Sequence, residues 1–267
     1  MRPIRSYVTQ TAIYLSLVLL ILIITVIIFF HWEMEKSDLI NMHNHLTGDH
    51  SPFAVLYLIL VKTIFAFTAG LVLRNLFQKI ASPEIFFYSL AILSLSFTSI
   101  RSLLLIEEFL DYPIYFSETI TRAVYLGKII TVLCLFTSGL FSTGTSFQKQ
   151  ESFLLLITLI SFVLSVLIPI DLFETDIILL RGSGSEYGID IIFILLQVFA
   201  ILNFIVGAIK NNNYDYLFLA VGVGMVAIGN ELLFELIPGW ISIGAILLLI
   251  SGTVLFGYKI NKIYQWT

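Results

Sequence analysis

Charged residues are scarce in this chain of 267 residues, since Asp, Glu, Lys and Arg make up only 12% of it, against about 25% in soluble domains. A water-soluble globule is excluded because 58% of the residues are hydrophobic, against about 45 to 50% in soluble domains. The mean hydropathy is +0.99. No run of basic residues is present, so nucleic acid is not an expected partner. Cysteine occurs once, at Cys134, so no disulfide can form within the chain.

The hydrophobic residues are grouped in blocks of about 20 residues, the length that crosses roughly 30 Å of hydrocarbon as a helix. The composition therefore predicts an all-α, polytopic membrane bundle in a single transmembrane domain, residues 1–267, that contacts the lipid bilayer. The first block is too long for a secretory signal peptide, whose apolar region has about 7 to 15 residues, and is interpreted as a retained helix. The fifth block is short enough to be re-entrant, so seven spans are the alternative to eight. The eight predicted spans are 7–30, 52–73, 82–106, 121–142, 153–170, 188–209, 214–237 and 239–260.

The distribution of Lys and Arg predicts the orientation, because short cytoplasmic loops carry an excess of them. With eight spans and the N-terminus inside, only Lys36, Arg122 and Arg181 fall on the exterior side. Both termini are therefore predicted to be cytoplasmic, in the plasma membrane and more narrowly a bacterial inner membrane. Eight basic residues fall on the cytoplasmic side: Arg2, Arg5, Arg74, Lys79, Lys149, Lys210, Lys259 and Lys262.

Four charged side chains stand out because they fall inside the predicted spans and away from the span ends: Lys62, Arg101, Lys128 and Glu231. Each costs at least ~2.5 kcal/mol on membrane-insertion scales and therefore needs a partner, water or a function. Helical spacing places Arg101 and Lys128 on polar stripes of their spans, at depths in the outer half of the bilayer that match Glu231. We expect these residues, with Glu235 at the end of the seventh span, to line an outward-facing pocket for a small anionic or zwitterionic ligand. The alternative is that they form salt bridges that only fix helix packing.

All four histidines of the chain fall between residues 31 and 50, in the predicted first exterior loop. His43, His45, Asp49 and His50 supply imidazole and carboxylate groups, the ligands that suit Zn²⁺ or a similar divalent cation. In residue types the stretch resembles the His-x-His-x-Asp-His run of metallo-β-lactamase-like hydrolases. Two additional residues change the spacing, however, and apolar spans cannot build that fold, so hydrolase activity is not inferred. The alternatives are a loop whose imidazoles respond to external acidity, since their ordinary pKa is near ~6.5, and a solvated loop without a site.

Four functions are consistent with these features. The first two are a sensor or receptor-like membrane domain, similar in build to the multi-helix sensor regions of bacterial signalling proteins, and an accessory subunit without a ligand. Both would act through a membrane or cytoplasmic protein partner, because the predicted tails are too short to hold an output domain. A transporter of small solutes or ions is the alternative, and a metal-dependent intramembrane enzyme ranks last because the sequence offers no second cluster of metal ligands.

Overall fold

The computed structural model describes residues 2–34, 52–80, 82–105, 115–144, 150–170, 180, 186–235 and 239–265. Within these ranges, eight helices are long and apolar enough to cross a membrane, which confirms the predicted all-α multi-pass bundle. The fifth is a continuous helix of 18 residues, which favours eight crossings over seven. The helices are α1 (Arg2–Met34), α2 (Pro52–Ile80), α3 (Pro83–Ser94, extended below), α4 (Tyr115–Ser142), α5 (Gln150–Leu167), α6 (Glu186–Lys210), α7 (Asp215–Phe234) and α8 (Trp240–Gln265).

Eight crossings give the bundle two ends. We call the end at which α1 finishes and α2 begins the predicted outer end, and the opposite end the predicted inner end. The helix boundaries differ from the predicted spans mainly through polar turns, since α2 continues to Ile80 and α4 begins at Tyr115. The charged or polar residues in these extra turns do not favour hydrocarbon, so hydropathy alone misses the helix ends.

Helix α3 lies at the centre of the bundle, packed against α1, α2 and α4. It is the least hydrophobic and the most buried of the eight spans, because its neighbours shield it from lipid. Ser82 caps its N-terminus by accepting a hydrogen bond from the Ile85 amide, and Pro83 occupies the first turn, where no amide donor is needed. Its inner end is fixed to α8 by the Tyr264 hydroxyl, which donates to the buried Glu84 carboxylate at 2.9 and 3.0 Å.

After Ser94 the helix continues as a 3₁₀ segment, Leu95–Ser102, and returns to α-helix up to Leu105. Eight residues are a long 3₁₀ run, since runs beyond about 3 to 4 residues are uncommon. Hydroxyl groups along it donate to the carbonyl three residues earlier, including Ser96 to Leu93 at 2.7 Å and Ser99 to Ser96 at 2.7 Å. These bonds stabilise a tighter turn than the α-helix has.

The most extensive helix–helix contact joins α7 and α8. Glycines allow it: a Cβ on Gly252 would lie 2.6 Å from the Gly222 carbonyl oxygen, and a Cβ on Gly229 would lie 2.8 Å from the Ala245 carbonyl oxygen. Small residues permit such backbone approach between membrane helices. Gly224 of α7 faces α6 instead, where a Cβ would lie 3.4 Å from the Ile201 side chain.

Candidate functional site

The structure brings the four predicted intramembrane charges together in the predicted outer half of the bundle. Lys62 comes from α2, Arg101 from the 3₁₀ segment, Lys128 from α4 and Glu231 from the last turn of α7. Lys62 is buried and interacts electrostatically with the other three. We call Lys62, Arg101 and Lys128 the cation cluster.

Arg101 is completely buried and lies against the end of α7. Its Nη1 donates to the Phe234 carbonyl oxygen, one of the last carbonyls of that helix. The guanidinium carbon lies 4.1 Å from the centroid of the Phe234 ring, within the range of a cation–π contact. The Nε and Nη2 atoms have no hydrogen-bond partner in the described part of the chain.

Lys128, and not Arg101, binds Glu231 through an ion pair. Its Nζ lies 2.9 Å from the Glu231 Oε2 and 3.8 Å from the Asp190 Oδ1. The other Glu231 oxygen accepts a hydrogen bond of 2.6 Å from the Gln197 Nε2. This hydrogen bond links α6 to α7 and orients the carboxylate towards Lys128.

Lys62 differs from Lys128 in its contacts. Its Nζ is buried and makes no hydrogen bond with the residues that the structure describes. An ammonium taken out of water without a partner carries a desolvation cost of several kcal/mol. Within the described ranges, Lys128 is the one member of the cation cluster that has a carboxylate ion pair, so the cluster carries more positive than negative charge.

A small cavity of about 10 Å³ lies between the start of the 3₁₀ segment, α4 and α7, which contributes Asn230 and Phe234. Its polar lining includes Ser94, Thr98, Lys128 and Thr131. This volume is about what one water molecule needs. A ligand larger than water therefore requires the elements around the cavity to separate.

The 3₁₀ segment is packed tightly against α4 beside Lys128. A Cβ on Gly127 would lie 2.3 Å from the Phe97 Cβ, so glycine is required for this approach. The Ser94 and Thr131 hydroxyl oxygens lie 2.7 Å apart and share a hydrogen bond that joins the last residue of α3, directly before the 3₁₀ segment, to α4. One segment thus carries Arg101 and closes the cavity next to Lys128.

Glu235 lies apart from this arrangement. It is exposed at the end of α7 and lines a lateral groove between α6 and α7, together with Asp190 and Glu231. The predicted site is therefore divided: Lys62, Arg101 and Lys128 are buried, Glu231 is partly buried and borders both the cations and the groove, and Glu235 belongs to the groove.

Several residues of the site were not predicted from sequence. Phe234 contacts both Arg101 and Lys128, and the Lys128 Nζ lies 4.1 Å from its ring centroid. An apolar side chain in an apolar span has no feature in the sequence that marks it as part of a site. Phe193 lies 4.7 Å from the same Nζ. Asp190 could have been found from its charge in the first turn of α6.

The predicted zinc ligands His43, His45, Asp49 and His50 lie outside the described residues, so the divalent-metal site stays a prediction. In the part of the chain that the structure describes, no group of three or more His, Cys, Asp and Glu is arranged to hold a metal ion.

The chain was compared with models of protein families, with curated proteins and with solved structures, and none matched it. The functional argument therefore depends on the geometry of the site.

Proposed function

We propose that this chain is a receptor-like membrane component that binds a small anionic or zwitterionic ligand at the cation cluster and acts through a protein partner. One observation carries the proposal: Lys62 and two nitrogens of Arg101 are buried donors without hydrogen-bond partners in the described chain. An anion placed between them would supply acceptors and opposite charge to both side chains. Structural pairing alone explains Lys128, which has Glu231, but does not explain Lys62.

The 3₁₀ segment provides a means of coupling binding to a change of shape. The cavity beside it is too small for such a ligand, so binding requires the surrounding elements to separate, and we assign this movement to the segment. If its eight residues became α-helical, their length would shorten by about 4 Å and their far end would rotate by about 160°. Arg101, at the end of this segment, would then leave the Phe234 carbonyl. Ligand binding would thereby alter the contact between α3 and α7.

The test is a titration of the purified full chain in phosphatidylcholine nanodiscs with inorganic phosphate, acetate and glycine, followed by native mass spectrometry and thermal unfolding. We expect saturable binding of at least one of these probes. Lys62→Met removes the charge at similar size and should weaken binding by about tenfold or more, the equivalent of one lost charged contact.

Arg122→Met is the matched control. Arg122 also lies in the predicted outer half, but it pairs with Glu118 at 2.7 Å and donates to the Ser165 carbonyl oxygen at the end of α5. This variant should bind the probe as the wild type does. Equal affinity of the wild type and Lys62→Met, or no binding of any of the three probes, would contradict the proposal. Accumulation of the bound probe inside sealed vesicles would show transport instead of reception.

A further inference from the structure

The lateral groove between α6 and α7 has a volume of about 580 Å³ and combines an apolar wall with a charged end. Its wall is formed by Ile194, Val198 and Ile201 of α6 and by Ile228 and Leu232 of α7. Ile194, Val198 and Ile228 are exposed at their positions in the bundle. Because the wall faces outward from a membrane bundle, its natural contact is with hydrocarbon.

The dimensions of the groove fit one lipid chain of a single leaflet. Asp190 and Glu235 lie at its charged end, at the predicted outer ends of α6 and α7, and Ile201 lies at its deep end. Between Asp190 and Ile201 the helix rises about 16 Å at ~1.5 Å per residue, about half of the ~30 Å hydrocarbon thickness. A chain lying along Ile194 and Val198 would therefore place its headgroup beside the carboxylates.

The charge at that end selects the headgroup. The groove contains three carboxylates, Asp190, Glu231 and Glu235, and one ammonium, Lys128. Lys128 already binds Glu231 at 2.9 Å, whereas the Asp190 side chain is 63% exposed and 3.8 Å from the same Nζ. Glu235 forms no ion pair with a described residue. The two exposed carboxylates are thus left to bind a cation, and a group with N–H donors can form charge-assisted hydrogen bonds with both.

We propose that this groove is a binding site for a membrane lipid with a primary-ammonium headgroup, an aminophospholipid, seated in the predicted outer leaflet. Its ammonium group would bind Asp190 and Glu235, and one acyl chain would occupy the apolar wall. A choline headgroup has no N–H donor and would bind more weakly, and an anionic glycerol headgroup would be repelled. The site is separate from the cation cluster in its ligand, although Lys128 and Glu231 border both.

The experiment uses the full chain in phosphatidylcholine nanodiscs that contain a small fraction of either phosphatidylethanolamine or phosphatidylglycerol. Native mass spectrometry counts the lipid molecules that remain bound. We expect phosphatidylethanolamine to be retained over phosphatidylcholine by about tenfold, the equivalent of one charge-assisted hydrogen bond. In the double variant Asp190→Asn with Glu235→Gln this preference should disappear.

Val198→Trp tests the apolar wall independently of charge. The tryptophan ring, which is much larger than the valine side chain, would fill the groove and should abolish retention of phosphatidylethanolamine. Leu202→Trp is its matched control: Leu202 is an exposed residue of the same helix outside the groove lining, and retention should be unchanged. Equal retention of the three lipids would show ordinary boundary lipid only and would overturn the proposal. If the preference for phosphatidylethanolamine persists in the Asp190→Asn, Glu235→Gln double variant or in Val198→Trp, the proposal is overturned as well. Anion binding in pure phosphatidylcholine is measured separately, so failure of one proposal is distinguishable from failure of the other.

Discussion

At the scale of single residues, Lys62 is a buried ammonium group that makes no hydrogen bond with the described residues. Its Nζ has no hydrogen-bond partner among the described residues, and of the three charges that act on it Arg101 and Lys128 repel it while Glu231 attracts it. A buried ammonium group without a hydrogen-bond partner lowers the stability of the fold. Residues that bind ligands are commonly retained in spite of such a loss of stability. Whether replacing Lys62 raises or lowers the free energy of unfolding therefore distinguishes a ligand-binding residue from a packing residue.

We expect Lys62→Met to raise the free energy of unfolding of the ligand-free protein by roughly 1 to 3 kcal/mol, because it removes an unpaired buried charge. Reversible unfolding in mixed micelles would measure this. Lys259→Met is the comparison, because the Lys259 Nζ lies 2.7 Å from the Asp215 carboxylate and loses a real ion pair. Lys259→Met should therefore not be stabilising. If Lys62→Met is less stable than the wild type, Lys62 has a structural partner and the ligand argument fails.

Sequence reasoning found the charged residues of the site but not their pairing. Helical spacing and depth placed Arg101, Lys128 and Glu231 in one half of the bilayer, and the structure brings them together. The partner of Arg101 is a backbone carbonyl at Phe234. Every residue has such a carbonyl, so no sequence pattern identifies the one that is used.

At the scale of elements, the 3₁₀ segment is the part of the fold that the sequence analysis missed, although a signal was present. Ser96, Ser99 and Ser102 recur at every third position, which is the period of a 3₁₀ helix and not of an α-helix. A hydropathy profile detects only that a segment is long and apolar enough to cross the membrane. It therefore predicted the span but not the change from α-helix to 3₁₀ helix within it.

The hydrogen bond between Ser94 and Thr131 joins α3 to α4 at the residue directly before the 3₁₀ segment. A double-mutant cycle with Ser94→Ala and Thr131→Val should give a coupling energy of about 0.6 kcal/mol and at most about 1.7, the range of hydrogen bonds between membrane helices. Unfolding of the wild type, the two single variants and the double variant provides the measurement. Strictly additive effects would mean that the hydroxyl pair does not connect the two elements.

At the scale of the whole molecule, the contact between α7 and α8 supports the site from a distance. Helix α7 carries Glu231 and Phe234, and its close approach to α8 depends on glycines such as Gly252. Anything that separates the two helices should therefore also disturb the surroundings of Arg101 and Lys128.

We expect Gly252→Leu to lower the free energy of unfolding by about 1 to 3 kcal/mol through overpacking and to weaken anion binding, although it lies on a helix that contributes no side chain to the cation cluster. Gly244→Leu is the matched control on the same helix, since a Cβ there meets nothing within 4 Å. Thermal unfolding and probe titration measure the two effects. Equal behaviour of the two variants would show that the α7–α8 contact does not control the site.

The central position of α3 has a consequence for how the protein is made. The least hydrophobic span contains a buried arginine, and an arginine at the centre of a span costs about 2.5 to 3.5 kcal/mol when a helix enters lipid on its own. The more hydrophobic α1 and α2 precede it in the chain and pack against it in the bundle. The order of synthesis thus supplies two partners in the membrane before the helix that most needs them emerges from the ribosome.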